Sequence, residues 1–135
     1  MINDDDIMEL CNNMIRYITK ETEIESIISY LLREIKVNDL IYINLNDTWY
    51  YYNSINKIWE QYDFRKILFN LENLYNFFNE IIKNYLEISN DLTEKNKTEI
   101  LRISHTISQA FLDRNINYNK LQNFCKKLFS IRENI

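Results

Sequence analysis

The chain of 135 residues contains no glycine and no proline. Average usage of about 7% Gly and 5% Pro would place roughly 9 and 7 of them in a chain this long. A phosphate-cradling loop needs glycine so that backbone N–H groups can close on the anion. A Walker A loop and a dinucleotide-binding turn are therefore both excluded. Collagen-like, proline-rich and Gly/Ser-linker organisations fall with them, as do sandwiches and barrels that rely on many tight positive-φ turns. His105 is the single histidine, which removes every two-histidine metal motif. No apolar run approaches the ~18 residues of a membrane span. The start, Met-Ile-Asn-Asp-Asp-Asp, is too acidic for a signal or transit peptide. The expectation is an intracellular protein with no membrane partner, in the host cytoplasm or nucleus if viral. Cys11 and Cys125 lack CxxC spacing and read as reduced core residues; a disulfide between them has no sequence support.

Hydrophobic residues make up 46% and charged residues 27%, a folded rather than disordered balance, and the length suits a single domain over 1–135. The 20 asparagines, the 22 isoleucines and the excess of Lys over Arg point to an AT-rich coding sequence, which also depletes Gly and Pro. The net charge of −4 is unevenly spread. Residues 1–93 carry 8 basic against 16 acidic side chains (−8), and residues 94–135 carry 8 against 4 (+4). Such asymmetry hints at a polyanion partner for the basic end.

Apolar residues at helical spacing define the elements. Over residues 5–20 they are Ile7, Cys11, Ile15 and Ile18, with Asp4, Asp5 and Asp6 placed to cap and to favour the helix dipole. Thr22 and Glu25 form a capping-box pattern for a second helix with Ile24, Ile27 or Ile28, Leu31 and Ile35. Over residues 64–88, Ile67, Leu71, Leu74, Phe78, Ile81, Tyr85 and Ile88 recur at alternating spacings of 4 and 3. Leu68, Tyr75 and Ile82 widen that seam to suit the centre of a bundle. Asp91 and Glu94 predict another capping box, opening a helix with Ile100, Ile103, Ile107 and Phe111. A last helix carries Leu121, Phe124 or Cys125, Leu128 and Ile131.

Between residues 40 and 61 the pattern changes. Leu40-Ile41-Tyr42-Ile43 and Trp49-Tyr50-Tyr51-Tyr52 are rich in β-branched and aromatic residues, and Asn46-Asp47 between them tolerates the left-handed turn almost as glycine does. A second turn over residues 53–56 leads to a short strand over residues 57–61. The expected fold is mainly α, a helical bundle of about five helices, with a small antiparallel β-hairpin or meander.

Catalytic groups are scarce. His105 has no placed nucleophile or carboxylate, and the acidic clusters at residues 4–6 and 21–25 have capping explanations, so the chain reads as no enzyme, with no metal and no cofactor. Two sets of residues could bind. Trp49, Tyr50, Tyr51, Tyr52 and Trp59 fall within eleven residues. Strand alternation assigns Trp49 and Tyr51 to one face and Tyr50 and Tyr52 to the other, one face being core and the other a base-stacking platform or a protein contact. Lys95, Lys97, Lys120, Lys126, Lys127 and Arg132 are candidates for contacting nucleic-acid phosphates, with Lys120, Lys126 and Lys127 as a local patch.

The stretch over residues 25–76 resembles the N-terminal helical domain beside the superfamily 3 helicase core of poxvirus-type primase-helicases, relatives of which occur in giant viruses, phages and plasmids. The resemblance rests on Ile27-Ile28-Ser29-Tyr30-Leu31-Leu32, Leu40-Ile41-Tyr42-Ile43, Thr48-Trp49-Tyr50-Tyr51-Tyr52-Asn53, Lys57-Ile58-Trp59-Glu60 and the helix over residues 67–75. With the two later helices it extends over about residues 20–131. It implies a non-catalytic accessory domain of a replication primase-helicase, with DNA, the helicase core, neighbouring subunits or further copies of itself as partners. Family proteins continue into an ATPase with Walker motifs, which this chain lacks. The alternative expectation is a small viral helical protein that seizes and antagonises a host protein.

Overall fold

A computed structural model of the chain describes residues 3–34, 40–88 and 93–130, the side chains of residues 68–70 excepted. The described elements run α1 (Asp4–Tyr17), α2 (Ile24–Glu34), β1 (Ile41–Ile43), β2 (Thr48–Asn53), β3 (Ile58–Tyr62), α3 (Ile67–Ile88), α4 (Glu94–Leu112) and α5 (Tyr118–Phe129). The fold is mainly α with a small three-stranded antiparallel meander, as its sequence pattern predicts. Among the described residues no helix is long and apolar enough to cross a membrane. Contacts divide the chain into two compact units, one of Met1–Ile24 and Asn70–Ile116, the other of Glu25–Phe69 and Asn117–Ile135.

The first unit contains α1, α4 and most of α3. Asn3 caps α1 by accepting from the Asp6 amide at 2.8 Å; the three aspartates instead fill the first turn, where their charge meets the helix dipole. Ile7, Cys11, Met14 and Ile18 are buried, so Met14 takes the inward position expected of Ile15. The helix stops at Tyr17 because the Thr22 hydroxyl takes the Thr19 amide at 2.9 Å, offering the backbone a turn in place of another helical bond. That use of Thr22 also replaces its expected capping role, and α2 opens at Ile24.

Along α3, Leu71, Leu74, Phe78, Ile81, Ile82 and Tyr85 are buried, whereas Ile88 is 36% exposed. Glu72, Asn73, Asn76 and Phe77 are exposed, so the helix has one inward face. Its Tyr85 hydroxyl donates to Asn12 Oδ1 at 3.1 Å, and Tyr75 donates to Ser108 at 3.2 Å. The cap of α4 is Thr93, accepting from the Asn96 amide at 3.1 Å, where a cap at Asp91 was expected; Asp91 lies outside the described residues. Ile100, Ile103, Ile107 and Ala110 are buried, and Phe111 packs its ring on Tyr75 at 4.8 Å. Arg102 donates to the Ile18 carbonyl at 3.2 Å and pairs with Glu99 at 3.1 Å. After α4 the chain reverses through Arg114 in the left-handed region, φ 51°, where a glycine usually ends a helix.

The second unit holds α2, the sheet, the start of α3 and α5. Ile27, Ile28, Leu31 and Leu32 of α2 are buried; Ile35, expected on the same stripe, lies outside the described residues. Strand order is β1-β2-β3. Asp47, φ 48°, turns the chain into β2 after a 3-10 turn over Asn44–Asn46. Lys57, φ 57°, turns it into β3, and the Asn53 side chain accepts from the Ile55 and Asn56 amides at 3.0 and 3.1 Å. A second 3-10 turn, Phe64–Lys66, leads into α3. Asn117 caps α5 through the Lys120 amide at 3.1 Å. Leu121 and Cys125 are fully buried, so Cys125 rather than Phe124 faces inward; Ile131 lies outside the described residues. Both cysteines are free, and burial pushes their thiols up to about 12.

Candidate nucleic-acid interface

Alternation along β2 and its register with β3 sort the aromatic block into two faces. Trp49 pairs with Tyr62 and Tyr51 with Glu60 on one face; Tyr50 pairs with Gln61 and Tyr52 with Trp59 on the other. The first is the inner face. Trp49 is 4% exposed and stacks on Phe64 at 4.7 Å, with Tyr42 at 5.0 Å and Phe129 at 5.9 Å. Tyr51 meets Tyr62 edge-on at 5.8 Å and donates its hydroxyl to the Glu60 carboxylate. That bond and burial hold the Tyr51 phenol above its ordinary range.

On the outer face Tyr50 and Tyr52 are half-buried and Trp59 is 51% exposed. The Tyr52 and Trp59 rings lie 5.2 Å apart at 57°, and the Tyr50 hydroxyl accepts from Asn46 at 3.1 Å. Three ring systems thus present accessible π-faces or edges on one side of the sheet.

The lysines divide differently from their sequence grouping. Lys126 is already paired: its ammonium lies 3.1 Å from the Asp47 carboxylate and 5.2 Å from the Tyr42 ring centre. Tyr42 donates its hydroxyl to the same carboxylate. The two donors hold the Asp47 carboxyl below its ordinary value, and the hydrogen bonds to Asp47 raise both Tyr42 and Lys126. This triad locks the first hairpin turn to α5, and it removes Lys126 from the expected patch. Lys127 is exposed beside Phe124 at 5.8 Å, and Lys120 is exposed in the first turn of α5. Lys95 and Lys97 belong to α4 in the other unit; Lys95 is exposed, while Lys97 pairs with Glu94 at 3.7 Å. Arg132 lies outside the described residues.

The charge count over residues 1–93 hides two further cations, Arg65 and Lys66. Where β3 ends, an open cleft of about 720 Å³ is lined by Trp49 and Tyr62 of the inner face and by Gln61, Asp63, Arg65 and Lys66, among others. Gln61 belongs both to this cleft and to the outer face, opposite Tyr50. The Asp63 carboxylate accepts from the Arg65 amide at 3.0 Å and from its guanidinium at 2.9 Å. That pairing lowers the Asp63 carboxyl and raises the Arg65 guanidinium. The Arg65 side chain is still 77% exposed, so donors of its planar fork remain open to a second anion. The sequence signal was the Arg65-Lys66 dipeptide directly after the aromatic block.

His105 is exposed on α4, and the described residues hold no cluster of three or more His, Cys, Asp or Glu suited to a metal ion. The chain matches no protein-family model, no curated protein and no solved structure in comparison.

Proposed function

We propose that this chain is a non-catalytic accessory domain of a viral or mobile-element replication primase-helicase, and that it contacts single-stranded DNA through the outer face of its sheet. The observations that carry the DNA contact are the outer-face set of half-buried Tyr50 and Tyr52 with the half-exposed Trp59, and the cations Arg65 and Lys66 in the cleft where β3 ends. Bases stack on the rings regardless of sequence, and the cations take the flanking phosphates. The helicase setting comes from the family resemblance of residues 20–131. The overall acidity of the chain limits the affinity to what this one face supplies.

Fluorescence anisotropy of a labelled single-stranded oligonucleotide at low salt tests the reading. Stacking is worth about 1–3 kcal/mol per base, so Trp59→Ala weakens binding by at least about fivefold. Arg65→Ala with Lys66→Ala flattens the salt dependence by about one to two counterions. Lys126→Ala acts through stability rather than through affinity at saturating fold. Absence of binding at about 100 µM protein, or equal affinity for wild type and Trp59→Ala, overturns the proposal. A protein-binding role has its own support in Leu101 and Leu112 of α4, 51% and 74% exposed and three turns apart on one helical face. Capture of a partner that Leu101→Asp with Leu112→Asp abolishes would favour it.

A further inference from the structure

The cleft where β3 ends lies wholly within the second unit, and its volume of about 720 Å³ is that of a small-molecule site. Its walls, the sheet and α5, are tied together: Tyr42 forms a parallel bridge with Ser130, and Asn44 Nδ2 donates to the Ser130 hydroxyl at 2.9 Å. The two carboxylates of the lining are already engaged. Asp47 accepts from Tyr42 and Lys126, and Asp63 from the Arg65 amide and guanidinium. The donors are not all engaged. Arg65 reaches Asp63 through Nε and Nη2, at 3.1 and 2.9 Å, and its Nη1 group has no acceptor among the described residues. Trp49 forms part of the wall, and its buried indole N–H has no acceptor among them either. Guanidinium and indole groups only donate, so a ligand that completes this lining is rich in acceptors.

Two further features narrow its chemistry. Gln61 of β3 and Gln122 of α5 line the cleft with side-chain amides that make no hydrogen bond among the described residues. Each amide offers a donor and an acceptor in one plane, the pattern that pairs with the edge of a heterocyclic base. The rings of Tyr62, Phe64 and Tyr118 line the same cleft, with Tyr118 packed on Phe64 at 5.8 Å. An aromatic wall, two amides and a guanidinium fork together suit a planar base that carries an oxyanion. Two cations match the charge of one phosphate group, and a triphosphate would need the glycine loop that this chain lacks. We propose that the cleft binds a single nucleotide as its monophosphate, with the phosphate at Arg65 and Lys66 and the base edge at Gln61 and Gln122. The site shares its two cations with the DNA contact proposed above but uses none of the outer rings Tyr50, Tyr52 and Trp59, so the two readings fail separately.

Proton–nitrogen correlation spectra of the full chain, titrated at constant ionic strength with each deoxynucleoside monophosphate and with inorganic phosphate up to about 10 mM, test it. In the wild type the Trp49 indole N–H and the Gln61 and Gln122 side-chain amides shift and saturate, with a dissociation constant on the order of 0.1–1 mM for the best nucleotide. Inorganic phosphate binds at least about tenfold more weakly. Gln122→Ala places a good helix former in α5 and weakens the nucleotide about three- to tenfold without changing inorganic phosphate. Arg65→Lys keeps the charge, loses the planar fork and weakens both ligands. Lys83→Ala removes an equal charge from an exposed position on α3 and changes neither. No saturable shift for any nucleotide, inorganic phosphate bound as tightly as the best nucleotide, or shifts confined to Tyr52 and Trp59 overturn the inference; the last outcome would leave the outer-face contact standing alone.

Discussion

Glycine placed at the three left-handed residues should give opposite results at sites that share one backbone conformation. Asp47, Lys57 and Arg114 have φ of 48°, 57° and 51°, where Cβ crowds the backbone at about 1–2 kcal/mol per residue. Glycine removes that cost and widens the unfolded ensemble by about 0.5–1 kcal/mol. Lys57 and Arg114 are exposed, so their side chains offset little of this. Lys57→Gly and Arg114→Gly should each stabilise the protein by about 0.5–1 kcal/mol. At roughly 2.1 cal/mol/K per residue, a chain of 135 residues unfolds with an entropy of about 280 cal/mol/K, so each substitution raises Tm by about 2–4 °C. At Asp47 the same backbone relief comes with loss of the acceptor for the Tyr42 hydroxyl and the Lys126 ammonium. Tyr42 is 5% exposed and keeps only Lys126 as a hydrogen-bond partner; the loss of two hydrogen bonds to a charged acceptor outweighs the gain. Asp47→Gly should therefore lower Tm. Thermal unfolding followed by far-UV circular dichroism reads all three variants. A lower Tm for Lys57→Gly and Arg114→Gly, or a higher one for Asp47→Gly, would refute the division between strain and side-chain locking.

The same triad sets a pH window. Asp47 is depressed, so its contribution is present above the unfolded carboxyl value near 4 and is lost as pH falls through the folded value. Tyr42 and Lys126 are raised, so theirs is present below about 10 and is lost as pH rises through their folded values. The stability gap between wild type and Asp47→Asn, measured by urea melts, should be widest between about pH 5 and 9 and close at both ends; a gap that stays constant to pH 11 would remove the ionic account. Both thiols, buried and raised to about 12, should resist a thiol reagent at pH 8 and react only in denaturant; stoichiometric labelling of the native protein would overturn their burial.

The helical faces were legible because a 3.6-residue period survives any tertiary arrangement: the α3 seam from Ile67 to Tyr85 is buried as its spacing predicts. Caps were less so. Asn3 and Thr93 lie one and two residues from the positions expected, since several neighbouring Asn, Asp and Thr side chains can each reach an N-terminal amide. Strand alternation separated Trp49 from Tyr50 but did not say which face is inward. That is decided by Phe64 and Phe129 closing on Trp49, a choice made far along the chain. Lys126 and Lys127 are equivalent in sequence and about 100° apart on a helix; one meets Asp47 and the other solvent. Arg65 and Lys66 were hidden by an acidic average over the 93 residues around them.

The bridge from Tyr42 to Ser130 also sets when the sheet can be completed. Asn44 and Ser130 are 86 residues apart, and each compact unit is assembled from two separate stretches of chain. During synthesis the sheet emerges well before α5, so Trp49 waits without Phe129 and Asp47 without Lys126 while the intervening helices leave the ribosome. Both edges of the sheet are open over that interval, the condition in which unpaired strands find wrong partners. The second unit can close around Trp49 only once α5 has been made.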